Sequence, residues 1–238
     1  MNPVLKRVLT GLTIGAAVIC TVLFAPMSVI APLVAVLALL AIVEFALLIK
    51  MKCPRPTGWT GLGFLFGAAL IGGGLIMLPM IARLYGDAPC GGLRLGNVML
   101  LYVIAIVKFS DVGGFAFGLS SAKLMKGGNH KLCPTISPNK SWEGLFGSVF
   151  CSCLVSCAFK GVTGFGWGDS VFLGVVAALF GTAGDLVESK FKRWVGVKDS
   201  STMKVTNGMG GFLDMFDSLL LAPAVIYFIL GLAATASC

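Results

Sequence analysis

The sequence predicts an all-α, polytopic integral membrane protein that forms a single domain over residues 1–238. Hydrophobic residues make up 57% of the chain, and the mean hydropathy is +0.96. Soluble domains are only about half apolar. Apolar segments long enough to cross a bilayer also recur along the whole chain, with no long polar insertion between them. We therefore expect no second, soluble domain.

The apolar segments predict about seven transmembrane helices. The first follows Lys6 and Arg7 and ends near Ala25. We interpret it as a membrane span and not as a cleaved signal peptide, because another apolar segment follows almost at once. The remaining predicted spans cover residues 28–49, 59–83, 97–118, 142–159, 171–188 and 212–232.

The distribution of basic residues predicts the orientation of these spans. Most of the 18 Lys and Arg residues lie at the N-terminus or in the connections after spans two, four and six. Because cytoplasmic connections of membrane proteins are enriched in Lys and Arg, we place the N-terminus and these connections in the cytoplasm. The expected location is the cytoplasmic membrane of a cell, with the C-terminus outside.

Charge and cysteine content argue against nucleic-acid binding and against a zinc site. The net charge of +8 comes from bases beside membrane segments, which favours lipid headgroups or polyphosphates over nucleic acid. The 8 cysteines form no CxxC pair, and Cys151, Cys153 and Cys157 lie within one apolar segment. We interpret these three as packing residues and predict no zinc site.

Glu44 in span two and Lys108 in span four are predicted to lie inside the membrane, apart from the other charged residues. Lys108 and Asp111 are three residues apart, so they can form an ion pair on one helix face. For Glu44, two interpretations stay open: a packing carboxyl with a hydrogen-bond partner, or a residue that lines the functional site.

The most informative segment is residues 182–218, which holds half of the acidic residues of a chain that is only 12% charged. Asp214 and Asp217 are three residues apart at the start of the last span, and Asp185 near the end of span six could meet them. Three converging carboxylates need a cation, and oxygen ligands suit Mg²⁺. Because several Lys and Arg residues lie in the same connection, we predict a metal-dependent site for a polyphosphate.

A second polar segment precedes span five. Ser137 or Ser141 can cap the helix of that span, and Lys140 beside a helix N-terminus could bind an anion. Taken alone, this segment is better explained by an ordinary capped helix with an interfacial Trp142. By itself it does not establish a site.

The polar segments together resemble the phosphatidate cytidylyltransferases, also called CDP-diacylglycerol synthases. The family signature contains a Ser, a Lys-Arg step and a Lys-Asp step, followed by a Gly-Gly and two aspartates. The matching residues here are Ser189, Lys192, Arg193, Lys198, Asp199, Gly210, Gly211, Asp214 and Asp217. Residues 136–144, the Ser110-Asp111 step and the Gly184-Asp185 step also match family motifs. Residues 96–238 would thus be the catalytic half, and residues 1–95 would supply N-terminal helices.

The resemblance implies an enzyme that joins CTP to phosphatidic acid, forming CDP-diacylglycerol and pyrophosphate for phospholipid synthesis. It implies catalytic roles for Asp185, Asp214, Asp217, Lys198 and Asp199. The three aspartates at positions 185, 214 and 217 would bind Mg²⁺. The residues expected to bind substrate are Ser189, Lys192, Arg193, Ser137, Lys140, Trp142 and Asp111. The family also suggests a monovalent cation such as K⁺ and a homodimer among membrane lipids.

The chain departs from the family signature at two positions and in one segment, between Asp199 and Gly210, which is about two residues longer here. The histidine before Gly-Gly is Met209 here, and the arginine after the first aspartate is Met215. Roles of those family residues therefore cannot be transferred. The alternatives are a nucleotidyl- or phosphotransferase for another lipid phosphate and an ion-coupled transporter. The absence of an internal repeat argues against the transporter.

Overall fold

The computed structural model describes residues 3–53, 55, 57–125, 127–197, 200 and 211–236. Helices account for most of these residues. Their bounds are α1 Pro3–Phe24, α2 Met27–Lys52, α3 Gly58–Tyr85, α4 Leu95–Leu124, α5 Trp142–Ala158, α6 Lys160–Thr163, α7 Trp167–Val195, α8 Phe212–Phe216 and α9 Ala222–Ala236. The predicted all-α class is confirmed.

Within the described ranges, five helical segments are long and apolar enough to cross a membrane. They are Met27–Lys52, Gly58–Tyr85, Leu95–Leu124, Trp167–Val195 and Phe212–Ala234. Two shorter apolar helices, Thr13–Phe24 and Trp142–Ala158, coincide with predicted spans one and five. The polytopic membrane class is therefore confirmed, whereas the total of seven spans and the cytoplasmic N-terminus stay predictions.

Helix α4 lies at the centre of the bundle, in contact with α1, α3, α5, α7 and α9. Its apolar residues Met99, Val103 and Ile106 are fully buried. Helix α5 packs against it where glycines face each other, since a Cβ at Gly113 would overlap the backbone oxygen of Gly147. Small residues at such crossings let two membrane helices approach at backbone distance.

Two short antiparallel hairpins interrupt the helices. The first pairs β1 Pro89–Cys90 with β2 Leu93–Arg94, and the second pairs β3 Lys131–Cys133 with β4 Ser137–Ser141. The second hairpin ends directly at α5, where the Ser141 side chain accepts a hydrogen bond of 3.1 Å from Gly144 N. Of the two capping residues left open by the sequence, the cap is Ser141.

The last predicted span is broken near its N-terminal end. Helix α8 is followed by a 3₁₀ turn at Asp217–Leu219, and α9 begins only at Ala222. Pro223 lies in the first turn of α9, where a backbone N–H has no partner within the helix and proline is tolerated. The break turns the Asp217 segment towards α4 and α7, with which the 3₁₀ turn is in contact.

Glu44 of α2 stabilises the start of this broken span. Its carboxylate is fully buried, and Oε2 accepts a hydrogen bond of 2.9 Å from Leu213 N in the first turn of α8. The first N–H groups of a helix lack partners within the helix, so a carboxylate there satisfies one of them. Of the two interpretations of Glu44, the structure supports the packing carboxyl.

Candidate functional site

A cavity of about 550 Å³ lies between α4, the second hairpin, α5, α7 and the broken last span. Its charged lining residues are Lys108, Asp111, Lys140, Asp185, Asp214 and Asp217. Ser137, Asn139 and Thr182 add polar groups, and Phe115, Leu132 and Leu145 add apolar ones. Three segments that lie far apart in the sequence thus meet around one space.

Three carboxylates converge where Asp185 and Asp217 line this cavity. Asp185 and Glu188 are three residues apart on α7, which places them on one helix face. Asp217 approaches them from the 3₁₀ turn, and one oxygen of each of the three residues lies within 4.8 Å of the others. Such a set of oxygen donors is of the kind that binds Mg²⁺.

Two lysines flank the carboxylates and reduce their mutual repulsion. Lys140 Nζ lies 2.6 Å from Asp185 Oδ2 and donates a hydrogen bond of 3.2 Å to Thr182 O. Lys192 Nζ lies 3.4 Å from Glu188 Oε1 on the other side. The Glu188 side chain is only 1% exposed, so the charge of Lys192 matters most at that residue.

Asp214 was predicted to meet Asp185 and Asp217, but its hydrogen bonds are to other residues. Its Oδ1 accepts a hydrogen bond of 2.7 Å from Lys192 Nζ. Its Oδ2 accepts bonds from Ser200 N at 3.1 Å and from Gly211 N at 2.9 Å. The structure thus brings Asp185 and Asp217 together as expected, but the third member of the group is Glu188. Metal binding by the predicted set stays a prediction.

Glu188 was not among the residues assigned to the site from the sequence. Its spacing of three from Asp185 was the available sign, because residues i and i+3 share a helix face. That spacing alone does not distinguish a site residue from an ordinary solvent-facing glutamate. Glu188 is distinguished by its burial against Lys192 and its proximity to Asp217, and its proximity to Asp217 depends on packing between distant segments.

The predicted ion pair within α4 is confirmed. Lys108 Nζ lies 3.6 Å from Asp111 Oδ2, and both residues line the cavity. Lys108 also donates hydrogen bonds to Met215 O at 3.1 Å and to Ser218 Oγ at 2.9 Å. These hydrogen bonds connect α4 with the broken last span beside Asp217.

The other predicted substrate-binding residues have different surroundings. Ser137 lines the cavity, and Ser189 Oγ donates to Asp185 Oδ1 at 3.2 Å. Arg193 Nε donates to Ile136 O at 3.5 Å and so connects α7 with the second hairpin. Trp142 is 59% exposed and is not among the residues that line the cavity. Lys198, Asp199 and Met209 lie outside the described residues.

Gly184 allows the last span to approach α7 next to the carboxylates. A Cβ at this position would lie 2.6 Å from the backbone oxygen of Asp217, a distance that Cβ atoms do not tolerate. At Gly181, one turn earlier on α7, the nearest atoms to a Cβ would be Val107 Cγ1 at 3.6 Å and Ser218 O at 3.7 Å. The residue before Asp185 must therefore be a glycine for the last span to pack this closely.

Comparisons with a family profile and with individual proteins agree on one family. Residues 69–233 match the sequence profile of the Cytidylyltransferase family. The chain is similar to proteins named phosphatidate cytidylyltransferase from Staphylococcus aureus strain COL, at 46% identity, and from Staphylococcus haemolyticus, at 42%. Each alignment spans 123 residues, which are 51% of this chain and 44% of the relative, so the chain spans less than half the length of these relatives. Because the family profile covers most of the sequence, the chain belongs to the Cytidylyltransferase family.

Proposed function

We propose that this protein transfers a cytidylyl group from CTP to phosphatidic acid, giving CDP-diacylglycerol and pyrophosphate. The observation that carries the proposal is the convergence of three motif segments on one cavity. Asp111 comes from α4, Lys140 from the second hairpin, and Asp185 and Asp217 from α7 and the last span. The names of the similar proteins support the same reaction.

The cavity combines the surfaces that both substrates need. Its charged side is suited to the phosphate groups of a nucleotide and of a lipid headgroup. Phe115, Leu132 and Leu145 add apolar surface, and Phe115 is 74% exposed on α4, which is long and apolar enough to cross a membrane. An acyl chain could therefore remain in an apolar environment while its headgroup enters the polar part.

In the proposed reaction, a phosphatidate oxygen forms a bond to the α-phosphorus of CTP. The bond from the α-phosphorus to the bridging oxygen breaks, and pyrophosphate leaves with the electron pair. The attacking phosphate is already anionic near neutral pH, so the protein need not supply a general base. Lys140 would orient phosphate oxygens, and Lys192 and Arg193 lie about two turns beyond Asp185 on α7.

The cluster of three carboxylates fits the magnesium ion that the family resemblance implies. Asp185, Glu188 and Asp217 would hold it, since their oxygens lie within 4.8 Å of one another. When bound there, Mg²⁺ would neutralise charge that develops on the transferred phosphoryl group. A monovalent cation such as K⁺ and a homodimer rest on the family resemblance alone. We further propose that the cavity opens to the cytoplasm, because it adjoins the basic connections.

Purified protein in detergent, incubated with phosphatidic acid, labelled CTP and Mg²⁺, is expected to form labelled CDP-diacylglycerol. The product should depend on all three components, and thin-layer chromatography measures it directly. A parallel reaction with a polyprenyl phosphate tests the alternative acceptor. The proposal fails if no labelled lipid forms with phosphatidic acid of any chain length, or if the polyprenyl phosphate is used far better.

The replacement Gly184→Ala is expected to lower the rate of CDP-diacylglycerol formation at least about tenfold. The added methyl would push the Asp217 backbone away from α7 and separate Asp217 from Asp185. The matched control is Gly181→Ala, which adds the same methyl one turn earlier at ordinary contact distances and should keep most of the rate. Equal rates for the two variants would show that the close approach at Gly184 is not needed.

A further inference from the structure

Lys108 is a basic residue inside the membrane span formed by α4. A charged side chain at such a depth is costly unless it is paired, and it is usually functional when it faces a polar cavity. The Lys108 side chain is 38% exposed, and it lines the cavity together with Asp111. Its charge therefore faces the space that the proposed substrates would fill.

The contacts of Lys108 leave it able to bind a further anion. Its ammonium group carries three N–H donors, and hydrogen bonds to Met215 O and Ser218 Oγ use two of them. Asp111 Oδ2, at 3.6 Å, is within ion-pair distance but beyond a normal hydrogen bond. A phosphate oxygen in the cavity could take the third donor.

Among the described residues that line the cavity, the other basic residue is Lys140, and it already has two close partners. Lys140 Nζ lies only 2.6 Å from Asp185 Oδ2, and it also donates to Thr182 O. Four aspartates line the same cavity, so a polyphosphate there would need additional positive charge. Lys108 can supply this positive charge from α4.

The position of Lys108 also relates to a departure from the family signature. The signature has an arginine after its first aspartate, where this chain has Met215. Met215 lines the cavity, and Lys108 binds the backbone oxygen of this same residue. A cation from α4 thus lies next to the residue at which the signature arginine is missing.

We propose that Lys108 is a substrate-binding residue that contacts a phosphate group and takes over the positive charge of the signature arginine. This inference rests on the proposed function in one respect, namely that the cavity receives a polyphosphate. A lysine suits the task because its ammonium is a compact charge on a flexible chain. Its bonds to Met215 and Ser218 hold that charge next to Asp217.

The first variant to test is Lys108→Gln, which removes the charge but keeps an N–H donor for Met215 O or Ser218 Oγ. We expect it to bind inorganic pyrophosphate about 10- to 100-fold more weakly than the wild type, as measured by isothermal titration in detergent with Mg²⁺. The KM for CTP should rise by a similar factor. Lys123→Gln removes an exposed lysine from the last turn of the same helix and should leave both values unchanged.

The decisive variant is the double replacement Lys108→Gln/Met215→Arg, which returns a cation to the cavity from the last span. It is expected to recover at least a tenth of the wild-type affinity for pyrophosphate, although it does not restore the Ser218 contact. The inference is overturned if Lys108→Gln binds pyrophosphate like the wild type, or if the folded double variant is no better than Lys108→Gln.

The pyrophosphate measurement separates this inference from the proposed reaction. If the wild type forms no CDP-lipid but pyrophosphate binding still depends on Lys108, the reaction is wrong and the phosphate contact is supported. If the wild type forms CDP-lipid and pyrophosphate binding is the same with and without Lys108, the reaction stands and the contact is refuted.

Discussion

The replacement Asp217→Asn is expected to slow CDP-diacylglycerol formation at least about 100-fold, the scale of losing one preorganised electrostatic group. Asparagine is nearly isosteric with aspartate, so the packing of the 3₁₀ turn should survive. The variant loses one of three carboxyl groups whose oxygens lie within 4.8 Å of one another. The site would therefore lose affinity for a divalent cation. Initial rates measured over a range of Mg²⁺ concentrations check this expectation.

Thermal unfolding in detergent distinguishes this loss from misfolding. Because Asp217→Asn relieves repulsion among the carboxylates, its unfolding midpoint without added metal should be no lower than that of the wild type. The control is Asp87→Asn, whose side chain is 80% exposed between α3 and the first hairpin and pairs only with Arg94 among the described residues. A near-normal rate for Asp217→Asn at low Mg²⁺ would remove this residue from the proposed metal site.

The replacement Lys192→Met is expected to destabilise the protein by about 3–5 kcal/mol, as when one partner of a buried ion pair is removed. Lys192 Nζ is bound to Asp214 at 2.7 Å and lies 3.4 Å from Glu188. The exposed fractions of the Lys192, Glu188 and Asp214 side chains are only 14%, 1% and 16%. Without the lysine, two buried carboxylates would face each other with no counter-charge. Thermal or denaturant unfolding in detergent measures the loss.

The matched control for this prediction is Lys190→Met, which removes an exposed lysine two residues earlier on the same helix. It should change the unfolding midpoint little, because exposed charges contribute little to stability. The double variant Lys192→Met/Glu188→Gln should regain part of the lost stability, since one of the unpaired carboxylates is then neutral. Identical midpoints for Lys192→Met and Lys190→Met would contradict the assigned role of Lys192.

Several features of the site followed from local sequence spacing. The Lys108–Asp111 ion pair was predicted from a separation of three residues, and the structure places its charged atoms 3.6 Å apart. A capping serine before α5 was predicted from its position, and Ser141 performs that function. Such interactions form between neighbours on one helix turn, so their geometry hardly depends on the rest of the fold.

Other features could not be predicted because they depend on distances between remote segments. Asp214 and Asp217 are both acidic and share the start of the last span, yet Asp214 binds Lys192 and the backbone of Ser200 and Gly211. Asp217 instead turns towards Asp185 and Glu188. The helix break after Phe216 separates the two side chains, and hydropathy alone does not reveal a break inside an apolar segment.

By itself, the sequence determined the membrane class, the helical fold, the family and the segments that carry charge. Hydropathy and motif order are properties of the chain, and burying apolar side chains in a bilayer leaves few alternatives to helices. Only the tertiary structure decided which charges meet: Glu188 with Asp185 and Asp217, Lys192 with Asp214, and Lys108 with the backbone of Met215. The reason is that a carboxylate or ammonium in a low-dielectric interior takes the nearest partner, and the packing of the helices sets which partner is nearest.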